Sequence, residues 1–249
     1  MSDLTVDDMD ITGSTALVTG ANRGLGARFV DQLLDRGAER VYATARRPPS
    51  LAGFDADPRV VTLELDITDP RQIAAAAARA RDVDLLVNNA GIPTLQDLVT
   101  GDLELIRAEM DTHFYGVLGM TRAFAPILGS NGGGAIVSVL SLLSFRTYPG
   151  NGAYAAAKAA EWQLTNSTRL ELAAQGTQVL AVHLSSTDTD MMAGWEIPKA
   201  SPEAAVSLAL DALAAGREEA LDEETAGVKA LLDRSPEELY AALRSPAAS

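Results

Sequence analysis

Tyr154 and Lys158 stand four residues apart near the start of a segment with helical spacing, so their side chains fall on one face. A tyrosine near its ordinary pKa of ~10 is a poor acid–base group at neutral pH. A lysine ammonium beside it favours the phenolate, and a nearby cationic ring would add to that effect. Ser141, thirteen residues before the tyrosine, follows a strand-like run and could donate a hydrogen bond to a carbonyl oxygen. A bare Tyr-x-x-x-Lys is common on surface helices, and an upstream turn sets this one apart. There Thr19-Gly20-Ala21-Asn22-Arg23-Gly24-Leu25-Gly26 joins an apolar run to a helical one. Glycines at such a junction turn the chain tightly and bring backbone N–H groups close to a pyrophosphate, which the helix N-terminus also attracts. The spacing is G-x-x-x-G-x-G rather than G-x-G-x-x-G, so the position of the turn carries the reading more than its letters. About twenty residues on, where a carboxylate would bond an NAD ribose, the chain has Thr44-Ala45-Arg46-Arg47. Arg23 and Arg46 suit a 2′-phosphate, and the expected dinucleotide is NADPH/NADP+.

The elements that must position these residues alternate along the chain. Short apolar, β-rich runs occupy residues 15–19, 40–44, 60–65, 84–87, 135–139 and 178–183, and helical patterns occupy 24–36, 70–81, 101–128 and 154–175. This alternation predicts an α/β fold, a single-domain Rossmann-like doubly wound parallel sheet with helices on both faces. A length of 249 residues suits one such domain over 13–249, preceded by a flexible segment over 1–12. Ser201-Pro202-Glu203 opens a further helix to 215. Beyond it come Glu219-Ala220-Leu221 and an acidic helical tail over about 217–249, with a second start signal at Ser235-Pro236-Glu237-Glu238. There is no cysteine, which excludes disulfides and thiolate metal sites, and the net charge of −14 gives no electrostatic basis for gripping nucleic acid or anionic lipid. Only His113 and His183 could offer imidazole, without ligand spacing, so no metal is expected. The first ten residues carry four aspartates and no basic residue, unlike an export signal, and no apolar run approaches ~20 residues. A cytoplasmic protein is expected.

Taken in order, Thr19-Gly20…Gly24-Leu25-Gly26, Asp66-Ile67, Asn88-Asn89-Ala90-Gly91 and Ser141…Tyr154…Lys158 resemble the motifs of the short-chain dehydrogenase/reductase family over residues 13–192. The resemblance implies a hydride-transferring oxidoreductase in which Tyr154 protonates a carbonyl oxygen that Ser141 orients. Lys158 would lower the tyrosine pKa and hold the nicotinamide ribose together with Tyr154. Gly20, Asn22, Arg23, Gly24, Leu25 and Gly26 would line the phosphates. Asp66 and Ile67 would meet the adenine, and Asn88, Asn89, Ala90 and Gly91 would lie beneath the adenosine. Thr189 would meet the carboxamide, and Thr187 also belongs to the implied cofactor set. Arg46 after Ala45 is similar to the NADP-preferring members.

Two positions depart from that family. His113, in His113-Phe114-Tyr115-Gly116, replaces an asparagine that helps hold a proton-relay water; imidazole could keep the relay or titrate within it, or the group is simply lost. After the sixth strand, His183-Leu184-Ser185-Ser186-Thr187 replaces a Pro-Gly, and Ser185 brings a Cβ where glycine would leave room. Leu142, Leu143 and Phe145 with Met191, Met192 and Trp195 suggest an apolar substrate pocket, although core packing competes for Leu140 and Leu143. The short segment between Thr189 and Ser201 implies a small lid. The expected protein is an NADPH-dependent carbonyl reductase, reversible as a secondary-alcohol dehydrogenase, acting on a small, largely apolar carbonyl or alcohol. It should be a homodimer through the 101–128 and 154–175 helices, or a homotetramer. The competing readings are an epimerase or other specialised enzyme of the same fold, and a non-catalytic NADP-binding sensor.

Overall fold

The computed structural model describes residues 9–244. The expected strands form one parallel sheet: β1 (Thr15–Val18), β2 (Arg40–Ala45), β3 (Val60–Glu64), β4 (Leu85–Asn88), β5 (Ala135–Ser141) and β6 (Gln178–Leu184). A seventh strand, β7 (Glu219–Leu221), adds to the edge through the pairs Ala181↔Glu219 and His183↔Leu221, where the sequence pattern had counted six strands. Its three residues are too few for a period-two pattern to stand out. The order is β3-β2-β1-β4-β5-β6-β7, so the direction of winding reverses between β1 and β4. In such sheets ligands collect at the carboxyl ends of the strands beside that reversal. Thr19, Asn88, Ser141 and Leu184 all stand at those ends.

Alternate residues of each strand feed opposite faces. Ala16, Val18, Leu85, Val87 and Val137 join Phe29, Val30 and Leu33 of α1 (Gly24–Asp35) in one core cluster. Leu17, Leu86 and Ile136 join Ile73 of α2 (Pro70–Arg79) in the other. The helix expected over 101–128 is three consecutive pieces: α3 (Leu103–Met110), a π-helical turn (Asp111–Gly116) and α4 (Val117–Ser130). Met120, Phe124 and Leu128 of α4 complete the second cluster. The next helix, α5 (Gly152–Leu172), packs on β5, β6, α4 and the π-helical turn. On the other face, α6 (Pro202–Ala214) lies against α1, its start capped by Ser201 Oγ accepting from the Ala204 N–H at 3.1 Å.

The tail is helical in short pieces, α7 (Glu223–Lys229), α8 (Pro236–Leu239) and α9 (Ala241–Arg244), and Ser235 caps α8 as its sequence suggests. Of the segment expected to be flexible, residues 1–8 lie outside the described residues. Ile11, however, is buried and Met9 packs against the same core, so the packed chain begins earlier than residue 13. Among the described residues no helix is long and apolar enough to cross a membrane.

Candidate active site

The glycine turn is shaped by contacts that leave no space for side chains. A Cβ on Gly26 would lie 2.1 Å from the Gly20 carbonyl oxygen, and one on Gly20 would lie 3.0 Å from the Ala90 Cα. Gly20 and Gly24 also take φ of +66° and +55°, a region where only glycine is unstrained. Thr19 ties the turn to the end of β4: its hydroxyl donates to the Val87 carbonyl at 3.2 Å and accepts from the N–H groups of Asn89 and Ala90 at 2.9 and 3.0 Å. The Asn89 side chain donates to the Thr19 carbonyl at 2.9 Å. Asn89 therefore braces the turn, and Asn88 is buried at the end of β4 with neither amide atom hydrogen-bonded to a described residue. Among the described residues no side chain caps α1, which leaves its first N–H groups to an anion, as a dinucleotide pyrophosphate requires.

On the adenosine side Ala45 is buried and Arg46 is exposed just past β2, where it can reach a 2′-phosphate. Arg23, expected to share that role, pairs with Asp190 at 3.1 Å. Both side chains are about two-thirds exposed, at 68% and 67%, so the pair is a weak one that a phosphate could displace. Asp66 accepts from the Thr68 N–H and hydroxyl through one oxygen, at 2.9 and 2.7 Å, leaving its other oxygen for an amine. The Ile67 side chain is turned into the core, where a Cβ on Gly116 would lie 2.9 Å from it. Thr187 is buried, while Thr189 sits beside Gly24, 3.4 Å from where a Cβ would stand. Thr189 thus flanks the phosphate turn.

Ser141 is the last residue of β5, and its hydroxyl accepts from the Leu143 N–H at 3.1 Å. Tyr154 and Lys158 face it from the first turns of α5. The Lys158 ammonium lies 5.8 Å from the Tyr154 ring centroid and donates to the Val139 carbonyl at 2.8 Å. It also donates to Glu161 Oε2 at 2.7 Å. Behind this pair lies His113, its ring edge-on to Tyr154 with centroids 5.2 Å apart. The Nδ1 atom of His113 is 3.5 Å from Glu161 Oε2, and Nε2 is 3.2 Å from Glu109 Oε2 and 2.9 Å from the Ile92 carbonyl. Glu109 in turn accepts from the Thr94 N–H at 2.6 Å. All four charged or titratable groups are buried: Glu109 at 0%, His113 and Glu161 at 1% and Lys158 at 4% exposure.

Sequence reasoning placed His113 and Lys158 but missed both glutamates. The available signal was spacing, since Tyr154, Lys158 and Glu161 fall at i, i+4 and i+7 and Glu109 is four residues before His113.

Lys158 lowers the Tyr154 phenol in the expected direction, but other influences outweigh it. Burial pushes the Tyr154 phenol above its ordinary value; Lys158 opposes that, but Glu161 and Glu109 reinforce it. Lys158 alone therefore does not turn Tyr154 into a phenolate. Burial works against the Lys158 ammonium, yet Glu161 outweighs it and the lysine is held above its usual range. For His113, burial and Lys158 oppose the charge, and hydrogen bonds to Glu109 and Glu161 raise its pKa all the same.

Of the expected substrate pocket, Leu142 and Phe145 belong instead to a small packed cluster with Val228 of α7. Phe145 stacks on the buried His183 at 4.3 Å and meets Trp162 edge-on at 4.7 Å. Phe145, which ends the 3₁₀ turn after β5, lies under the tail, with the Lys229 ammonium 5.7 Å from its ring centroid. Leu143 and Met192 are half-buried, and Met191 and Trp195 are exposed, joined by Ile197, which the sequence reading did not single out. Met191, Met192, Trp195 and Ile197 lie on a short excursion closed at its base by the Thr187↔Ala200 bridge and by Asp188 and Ala200 N–H groups donating across it at 2.9 Å. Ser185, which stands at the glycine of the family's Pro-Gly, donates its backbone N–H to Asp222 Oδ2 at 2.5 Å. Asp222, also unforeseen, caps α7 as well.

Residues 14–199 match the family model described as short chain dehydrogenase. A short chain dehydrogenase of Monascus purpureus is 34% identical over 194 residues, covering 72% of this chain and 66% of its own length. The chain therefore spans about two thirds of that relative. The pig protein named carbonyl reductase [NADPH] 2 is 32% identical over 177 residues, covering 70% of this chain and 72% of its own. A short chain dehydrogenase from Burkholderia cenocepacia J2315, solved in complex with NADP, superimposes with a TM-score of 0.90 at 41% identity, over 96% of this chain and 100% of that one. Agreement in sequence, in sheet order and in the glycine turn leads to one assignment: the chain belongs to the short-chain dehydrogenase family.

Proposed function

We propose that the protein is an NADPH-dependent carbonyl reductase, reversible as a secondary-alcohol dehydrogenase. The observation that carries this reading is the convergence of Ser141, Tyr154 and Lys158 at the same strand ends as the glycine cradle. When bound, the dinucleotide would supply hydride to the carbonyl carbon. As the C=O π pair moves onto oxygen, Tyr154 gives that oxygen its proton and Ser141 donates a hydrogen bond to it. Lys158 holds the resulting phenolate by charge. A phenol held above its ordinary pKa stays protonated at neutral pH, the form that reduction consumes. Arg46 and the lack of a carboxylate after β2 favour the 2′-phosphate, in keeping with the NADP complex of the Burkholderia relative. Half-buried Leu143 and Met192 and exposed Met191, Trp195 and Ile197 offer an apolar approach, so the proposed substrates are largely apolar ketones or aldehydes.

The test is turnover of a ketone and aldehyde panel with NADPH and with NADH, repeated for Tyr154→Phe. The expected result is faster turnover with NADPH, lost by at least ~100-fold in the variant while NADPH binding persists. Equal turnover by Tyr154→Phe would refute the assignment, and a preference for NADH would refute the cofactor. For assembly we favour a homodimer over a tetramer, since Leu105, Tyr115 and Leu170 are exposed on the α3–α5 run. A monomer mass by sedimentation would exclude both.

A further inference from the structure

Glu109, His113, Glu161 and Lys158 form a closed cluster with no water-exposed member. Two buried carboxylates against one ammonium would leave a net negative charge in a dry interior, which is strongly unfavourable. Each ring nitrogen of His113 faces an acceptor: Nδ1 faces Glu161 at 3.5 Å, and Nε2 faces Glu109 at 3.2 Å and the Ile92 carbonyl at 2.9 Å. One donor also faces the ring, the Ile92 N–H at 3.3 Å from Nε2. A neutral imidazole protonated on Nδ1 would accept from the Ile92 N–H but turn a lone pair toward Glu109 and the Ile92 carbonyl, and one protonated on Nε2 would turn a lone pair toward Glu161. An imidazolium places positive charge within 3.2 and 3.5 Å of the two carboxylates and brings the cluster to two positive and two negative charges.

We propose that Glu161 and Glu109, with His113 held between them as an imidazolium, form a charge-balanced unit that positions Lys158 and keeps Tyr154 in its acid form. Glu161, His113 and Glu109 are then positioning residues for the carbonyl-reducing direction, acting through Lys158 and Tyr154. The inference rests on Tyr154 being the acid of the proposed reaction. The groups that face His113 are Glu109 from its own helical run, Tyr154, Lys158 and Glu161 from α5, and the Ile92 backbone from the segment after β4. The groups that bear on Tyr154 are Ser141, Lys158, Glu161 and Glu109. Burial drives its phenol toward the protonated form, and the two carboxylates add to that against the single ammonium.

Two readouts test this. The first needs no turnover. The chain has two histidines, and His183 is held neutral by burial, so ¹⁵N-histidine NMR of the full chain resolves His113. It should be doubly protonated at pH 8 and become singly protonated there in Glu161→Gln. A neutral His113 in the unaltered protein at pH 7 overturns the proposal. The second readout is the pH profile of kcat for reduction. Removing the Glu161 charge should move the alkaline limb down by about one pH unit or more, and Glu161→Asp should restore it in part. An unmoved limb in a folded Glu161→Gln protein also overturns the proposal. Should that variant fail to fold, Glu109→Gln leaves the Lys158 contact intact and must shift His113 and the limb in the same direction by less; no shift overturns it. Failure of the reductase reading itself shows separately, as turnover that survives Tyr154→Phe.

Discussion

Gly91 shows how one residue admits the unusual chemistry of this site. A Cβ there would stand 2.7 Å from His113 Cε1, so the imidazole lies flush under the backbone of the Asn88-Asn89-Ala90-Gly91 segment. Gly91→Ala must therefore displace the ring and strain its contacts with both glutamates. The expected loss is ~2 kcal/mol of stability, typical of overpacking a dense interior, measured by urea denaturation. In a His113→Ala background the same change should cost much less, because its clash partner is gone. Equal losses in both backgrounds would mean that the strain comes from elsewhere. The motif Asn88 to Gly91 was legible in the sequence as a unit, but its division of labour was not. Asn89 braces the turn and Gly91 makes room for a side chain contributed 22 residues later.

At the scale of elements, the π-helical turn and the tail did what periodicity could not announce. Residues 101–128 read as one amphipathic helix, because a single wide turn shifts the apolar face by only about one residue. That turn carries His113 and stacks Gly116 on Ile67. The acidic tail read as a solvated appendage, yet β7 joins the sheet and Asp222 reaches back to hold the Ser185 N–H. Burial raises the Asp222 carboxyl, but N–H donors from Ser185 and Thr225 prevail and hold it below its usual range. Asp222→Ala removes both the α7 cap and this tie, and should cost ~1–2 kcal/mol. Amide exchange at residues 185–189 should quicken with it. Unchanged exchange there would show that the loop after β6 is held by the sheet alone.

For the whole molecule, the buried His183 and the half-buried Asp84 give stability opposing pH dependences. Burial lowers His183 to about 3, so on acidification from ~6.5 the unfolded chain takes up a proton that the folded one refuses. Stability contributed by neutral His183 is thus lost as pH falls from ~6.5 toward 3, by up to ~4 kcal/mol. Burial raises Asp84 to about 6, with the reverse sign: the folded chain binds the extra proton between pH ~4 and 6, and stability rises on acidification there. The two partly cancel in that window. His183→Gln leaves the Asp84 effect alone, so the variant should lose less stability than the parent between pH 7 and 4.5 in urea denaturation. Parallel losses would mean that His183 titrates normally in the folded protein.

Several features follow from local order along the chain. Alternating β-rich and helical runs dictate a parallel sheet, and Gly20, Gly24 and Gly26 require a close backbone turn after the first strand. The spacing of Tyr154 and Lys158 puts both on one helical face. Each of these is set by covalent geometry and by periods of two and 3.6 residues, which neighbouring residues display without help. Only the tertiary structure decided which buried charges meet. Glu109 and His113 come from one helical segment and Lys158 and Glu161 from another, and the two pairs meet where His113 Nδ1 lies 3.5 Å from Glu161 Oε2. The same holds for Phe145 and Leu142, whose apolar character was plain but whose partners, His183 and Val228, are strand and tail residues far along the chain. Local pattern specifies which faces are buried; which groups those faces bring into contact is fixed only when the layers pack.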